Sequence, residues 1–133
     1  MNALTSPTGF KPKKSVALSG VTAGNTALWT PAAGKKFRLI KYCLVVSGNA
    51  AMAAAGVNLI SLADGGGGPV PGTLVQLWLP NVAGTVLGGF AMPWIDFGPN
   101  GFLSATANNV LNLNINTALT TGTINAIAIG TEE

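Results

Sequence analysis

The sequence predicts an all-β fold, an antiparallel β-sandwich of about eight strands preceded by an extended N-terminal arm. Three observations carry that prediction. Apolar and β-branched residues fall in short runs. Turn signals containing Gly, Pro or Asn recur about every ten residues, the spacing of a sandwich or barrel. No stretch holds a helical period for long enough to bury a face.

The elements follow in chain order. Residues 1 to 14 read as the arm, because Pro7, Gly9 and Pro12 deny it a helix. Such an arm orders against a partner or not at all. Ser15–Ser19 alternates as a strand. Thr26–Thr30 is a second, carrying Trp29 and stopped by Pro31. Lys35–Ser47 is the strongest. On strict alternation it puts Phe37, Leu39, Lys41, Cys43 and Val45 on one face, and Arg38, Ile40, Tyr42, Leu44 and Val46 on the other. Both faces are apolar from Leu39 on, which predicts cover on both sides.

Residues 48–56 are alanine-rich but flanked by Gly48, Asn49 and Gly56, too short for a stable isolated helix. They read as a loop. Val57–Leu62 is a strand ended by Asp64-Gly65, and the glycines and prolines of 65–72 predict the most flexible segment of the chain. Thr73–Leu79, Gly84–Ala91, Trp94–Phe97, Phe102–Ala105, Val110–Asn116 and Thr123–Ile129 complete the set. Val110–Asn116 alternates apolar residues with Asn from Leu111 on, the pattern of a half-buried strand. Thr121-Gly122 between the last two predicts a hairpin. Eight strands in two packed sheets is the jelly-roll number. The domain organisation expected is an arm, 1–14, and one sandwich domain, 15–133.

Charge is segregated along this chain. All seven bases, Lys11, Lys13, Lys14, Lys35, Lys36, Arg38 and Lys41, lie in the first 41 positions. The four acids, Asp64, Asp96, Glu132 and Glu133, come later. So bare a body suits burial against copies of itself, and the basic end suits an acidic partner surface. The bases lack the interleaved aromatics or recognisable module of a nucleic-acid binder.

Catalytic chemistry finds few candidates. With no histidine, neither a Ser-His-Asp triad nor a Cys-His pair can be built within the chain. Cys43 is the single cysteine, so no intrachain disulfide or zinc-thiolate set forms, and it reads as a small buried hydrophobe. Asp64 reads as a turn residue and Asp96 as the partner of a base. Gly65–Gly68 lacks the Gly-Lys-Ser/Thr and helix of a phosphate loop. Trp29, Trp78 and Trp94 suit a core or a subunit contact better than a sugar groove, lacking adjacent acids and amides. No cofactor, metal or small-molecule substrate is expected. No apolar run reaches the length of a membrane-spanning helix, and residues 1–10 lack the pattern of a secretory signal. A protein that is soluble or becomes part of an assembly, made in the cytoplasm, is the expectation.

Across residues 34–133 the sequence resembles the decoration, or cement, proteins of tailed-phage capsids. The matching pattern is Gly34-Lys35-Lys36-Phe37-Arg38-Leu39 with Tyr42, then Ile60-Ser61-Leu62-Ala63-Asp64-Gly65, Gly101–Ala105, Asn109–Asn114 and Gly130-Thr131-Glu132-Glu133. The resemblance implies a jelly roll that binds the outer surface of a phage head as a homo-oligomer, commonly a trimer, and stabilises the lattice. Its partners would be itself and the major capsid protein, and its location the virion. On that reading Phe10, Lys11, Lys13 and Lys14 of the arm and Lys35, Lys36, Arg38 and Lys41 of the strand contact the capsid. Glu132, Glu133 and Trp78 reach between subunits. The alternatives from a different class are a receptor- or glycan-binding fibre or tail-tip module, and another small tail or connector component.

Overall fold

The computed structural model describes residues 14–20, 22–47, 57–78, 90–119 and 121–133. These form ten strands: β1 Lys14–Gly20, β2 Gly24–Trp29, β3 Phe37–Ser47, β4 Val57–Asp64, β5 Val75–Trp78, β6 Phe90–Ala91, β7 Ile95–Asp96, β8 Phe102–Leu103, β9 Leu111–Ile115 and β10 Thr123–Glu132. One sheet runs β1-β10-β3-β6, with β7 and β8 also paired to β3, and the other runs β2-β9-β4-β5. Among the described residues no helix occurs.

The pairing is nested. β1 pairs with β10, β2 with β9, β3 with β6, β7 and β8, and β4 with β5, all antiparallel. The chain thus folds as one long hairpin turning between β4 and β5. Rolling that hairpin up brings β10 against β3 and β9 against β4. A rolled-up hairpin divided between two sheets is a jelly roll. The edge opposite β1 consists of three short pieces because Pro93 and Pro99 cannot donate to a ladder.

The predicted hairpin between Val110–Asn116 and Thr123–Ile129 is not formed. β9 and β10 lie in different sheets, each between two strands distant in sequence. The Thr121-Gly122 turn crosses the sandwich instead of closing a ladder.

The core lies between the sheets. β9 contributes Leu111, Leu113 and Ile115, β4 contributes Ile60 and Leu62, and the facing sheet supplies Phe37, Leu39, Tyr42, Leu44 and Val46, all nearly or fully buried. Trp29 stacks at a tilt on Phe37, ring centroids 6.0 Å apart, and Phe37 on Phe102 at 6.4 Å. These rings fill the gap so well that β10 offers only Ala126 and Ala128 after Ile124, an alternation of large and small residues across facing layers.

Strict alternation fails in β3. Lys41 faces Ile129 and Leu39 faces Gly130, leaving Ile40 as an extra residue. This bulge switches the inward set from Phe37 and Leu39 to Tyr42, Leu44 and Val46. The predicted face pairing of Phe37 and Leu39 with Cys43 and Val45 is therefore wrong beyond Ile40. Cys43 and Val45 point outward, yet Cys43 is buried and Val45 half-buried, as the two apolar faces required.

Other boundaries differ in detail. Lys14, placed with the arm, opens β1, while residues 1–13 lie outside the described residues. Lys35 and Lys36 precede β3 instead of beginning it. The 48–56 loop and all of the Gly84–Ala91 strand before Phe90 lie outside the described residues. The 65–72 segment is held to the fold: Ala63 and Pro69 form a bridge, the Val70 amide donates to the Leu62 carbonyl at 2.7 Å, and Val70 is buried in the core. Gly66–Gly68 between these anchors stay exposed.

Candidate functional site

One end of the sandwich gathers most of the basic sequence. β1 begins there, with Lys14 opposite Gly130, and β3 begins there, with Phe37 opposite Glu132. β4 ends there, with Asp64 opposite Leu111. Residues 30–36, 65–72 and 104–110, together with 131–133, therefore share this end, and residue 14, where the chain from 1–13 joins the fold, lies in it.

Backbone bonds hold the Lys35-Lys36 segment rigidly. Lys36 exchanges hydrogen bonds with Glu133, N to O, at 2.9 and 2.8 Å. The Asn108 amide donates to the Lys35 carbonyl at 2.8 Å, and its side-chain oxygen accepts from the Gly34 amide at 2.7 Å. Asn108 does this in the left-handed region, at φ 68°, where Asn is among the few tolerant non-glycine residues. Lys36 Nζ donates to the Ala105 carbonyl at 2.8 Å.

Beneath that loop Asp64 acts as a hub. Its carboxylate accepts from Ser104 Oγ at 2.8 Å, the Ala105 amide at 2.7 Å and Asn109 Nδ2 at 2.9 Å. Its expected role was a local turn contact. Its main-chain carbonyl does accept from Gly67 at 3.2 Å, but the side chain binds residues 40 to 45 positions away. Nothing in the Asp-Gly dipeptide signals those partners.

The two glutamates close onto the same end. Glu132 Oε1 accepts from Lys14 Nζ at 2.9 Å and from the Trp29 indole at 2.8 Å, while Oε2 accepts from the Ala32 amide at 3.2 Å. The Lys14 ammonium also lies 5.6 Å from the Trp29 ring centroid, within cation–π range. Lys14 first, then the indole, hold the Glu132 carboxyl down to about 2. Arg38 grips Glu133 through Nε at 2.6 Å and Nη2 at 3.0 Å, and donating to the Glu133 carboxylate raises the pKa of Arg38 further. A third Arg38 nitrogen, Nη1, donates to the Asn100 carbonyl. Glu132 and Glu133 are thus engaged within the chain.

Lys41 pairs with Asp96 at 3.5 Å, as expected of Asp96, on a wet surface away from this end. Asp96 also caps the Gly98 amide at 2.8 Å. Such exposed pairs contribute little to stability. Three ion pairs therefore occupy Lys14, Arg38 and Lys41 among the described residues. Exposed Lys35 and half-buried Lys36 stand at this end, and among the described residues no carboxylate is paired to them. Phe10, Lys11 and Lys13 lie outside the described residues.

The aromatic candidates separate. Trp29 is core, its side chain 1% exposed, and Trp94 is 48% exposed. The Trp78 backbone pairs with Val57, and its side chain lies outside the described set. Cys43 Sγ lies 3.3 Å from the Met92 carbonyl and is buried. Among the described residues no three of His, Cys, Asp and Glu gather to hold a metal ion, and no helix is long and apolar enough to cross a membrane. No protein-family model matches this sequence, and no curated protein is significantly similar to it.

Proposed function

We propose that this chain is a structural virion protein, a decoration protein that seats its basic end on an acidic face of a phage major capsid protein, assembles with copies of itself and stabilises the head lattice. The observation that supports this most is geometric. Residue 14, through which Lys11 and Lys13 connect to the fold, and the Lys35-Lys36 loop fall at one end of the sandwich, while Lys14, Arg38 and Lys41 are already paired with carboxylates. Among the described residues, the bases without a carboxylate partner, Lys35 and Lys36, lie at the end where the chain from 1–13 joins the fold. Many copies on a lattice multiply a weak contact, and an electrostatic one weakens with salt. The jelly-roll sandwich, with a core built from both sheets, gives a rigid base for such a contact.

The test is co-sedimentation with heads assembled from the major capsid protein encoded in the same genome. Full-length protein is expected to bind, and to be released as salt rises. A variant lacking residues 1–13, and Lys35→Glu with Lys36→Glu, should each reduce binding at least tenfold. Binding unchanged in both, or absent from the wild type, would remove the reading.

A further inference from the structure

The two outward faces of the sandwich differ in chemistry. Outside the β2-β9-β4-β5 sheet stand the amides Asn25, Asn112, Asn114 and Gln76, suited to water, with Leu59 the exposed large apolar residue beside them. Outside the β1-β10-β3-β6 sheet the order inverts. Pairing puts Ala17, Ile127 and Cys43 in one row, and Ile129 and Val45 in the adjoining rows. From Asn125 onward, β10 turns its alanines inward and its isoleucines outward. A strand with only one covered face does the opposite.

The row continues to the sheet edge. Tyr42 pairs with Ile95, and the Leu44 carbonyl accepts from Met92 at 2.9 Å. Pro93 and Trp94 are therefore extra residues, bulged out opposite Cys43 at the end of the Ala17–Ile127–Cys43 row. Trp94 is 48% exposed there. An exposed tryptophan beside a row of apolar residues is the usual anchor of a protein contact.

Charge decides the partner. The described ionic groups on this side are Lys41, neutralised by Asp96, and, towards its basic end, Arg38, neutralised by Glu133. An acidic partner gains nothing from so balanced a surface, whereas an identical face meets it without like-charge repulsion. A sugar site would need free polar groups beside the tryptophan. Asn125 is held by the Ser19 hydroxyl, and Asp96 by Lys41 and the Gly98 amide.

We infer that the outward face of the six-stranded sheet, centred on Ile127 and edged by Trp94, is the surface through which two copies of this chain associate. The inference rests on the self-association part of the proposed function and not on capsid binding. Four strand positions by about seven residues give a footprint of about 440 Å² per copy, about 900 Å² in all. That lies below the standard interface size of about 1,600 Å², in the range of reversible contacts.

Sedimentation velocity on the free full-length protein over a wide concentration range tests it, without any capsid. The wild type should associate reversibly as concentration rises. Ile127→Lys should be monomeric throughout with an unchanged circular dichroism spectrum. Should that variant not fold, Trp94→Ala alters only an exposed residue and should weaken association at least tenfold. Lys35→Glu with Lys36→Glu, at the far end of the domain, should leave it intact. A wild type monomeric at every concentration, or a folded Ile127→Lys or Trp94→Ala variant associating like wild type, would overturn the inference. So would dissociation by the basic-end variant alone.

Discussion

The Trp29 indole nitrogen donates to Glu132 Oε1 at 2.8 Å, joining residues 103 positions apart. The indole ring is buried and the carboxylate also holds Lys14. Removing Glu132 therefore leaves a buried N–H without its acceptor. Glu132→Ala should cost about 2–3 kcal/mol, whereas Glu132→Gln, which keeps an acceptor, should cost about half as much. Lys14→Ala removes only the exposed partner and should cost less than about 1 kcal/mol. Urea unfolding followed by tryptophan fluorescence ranks the three.

Acid should weaken the fold through the same carboxylate. Its pKa is lowered from 4.5 to about 2 in the folded chain, so its stabilisation is complete above about pH 4.5. It is lost as pH falls from there through about 2. With Lys14 half exposed, screening limits the effect to about 1–2 kcal/mol. The slope of stability against pH in that window should flatten in Glu132→Gln.

Alkali should act through Tyr42. Burial pushes its hydroxyl up to about 12, and that hydroxyl donates to the Thr73 carbonyl at 2.8 Å. A raised folded pKa means stability is complete below about pH 10 and falls as pH rises through about 12. Phenolate absorbance should therefore titrate late, or appear together with unfolding. Because Tyr42 is the single tyrosine, the signal needs no deconvolution.

Asp64 should prove a structural carboxylate. Its oxygens accept from three donors on 104–109. Asp64→Ala leaves those donors unmatched and should cost about 2–4 kcal/mol. Asp64→Asn, which turns an amide toward donors, should recover little of that. Hydrogen exchange should show the loss concentrated at Ala105 and in the Lys35–Lys36 segment that packs on this loop.

Gly130 has no room for a side chain. A Cβ there would run into the Arg38 carbonyl and approach the Trp29 ring at 3.0 Å. Gly130→Ala should destabilise by about 1–3 kcal/mol through overpacking. Calorimetry would register it as a lower melting temperature with little change in secondary structure.

Much of the strand content was legible because alternation is a local property. Leu111-Asn112-Leu113-Asn114-Ile115 declares its buried and exposed residues by itself, and Pro31 and Gly65 mark where neighbouring strands stop. Pairing was not legible, because nesting joins β1 to β10 and β2 to β9, and no local pattern names a partner a hundred residues away. The bulge at Ile40 was hidden for a related reason, since it arises from the register against Gly130. At the basic end, the sequence identified the bases. It marked Asp96 as the partner of a base, but did not show that Glu132 and Glu133 would claim Lys14 and Arg38 within the chain, because those pairings depend on strands meeting across the sheet.

The nested pairing also sets an order of events during synthesis. β10 lies between β1 and β3 and is the strand that joins them. Until Thr123–Glu132 has cleared the ribosome, β1 has no ladder partner and the six-stranded sheet has no centre. The nascent chain must carry β1 and β2 unpaired until β10 and β9 are made, which exposes it to premature aggregation. Closure then comes late and in one step, with loop entropy to overcome across almost the whole chain. A fold of this kind favours slow, all-or-none maturation, and any delay in making β10 lengthens the interval in which β1 and β3 can pair with the wrong chain.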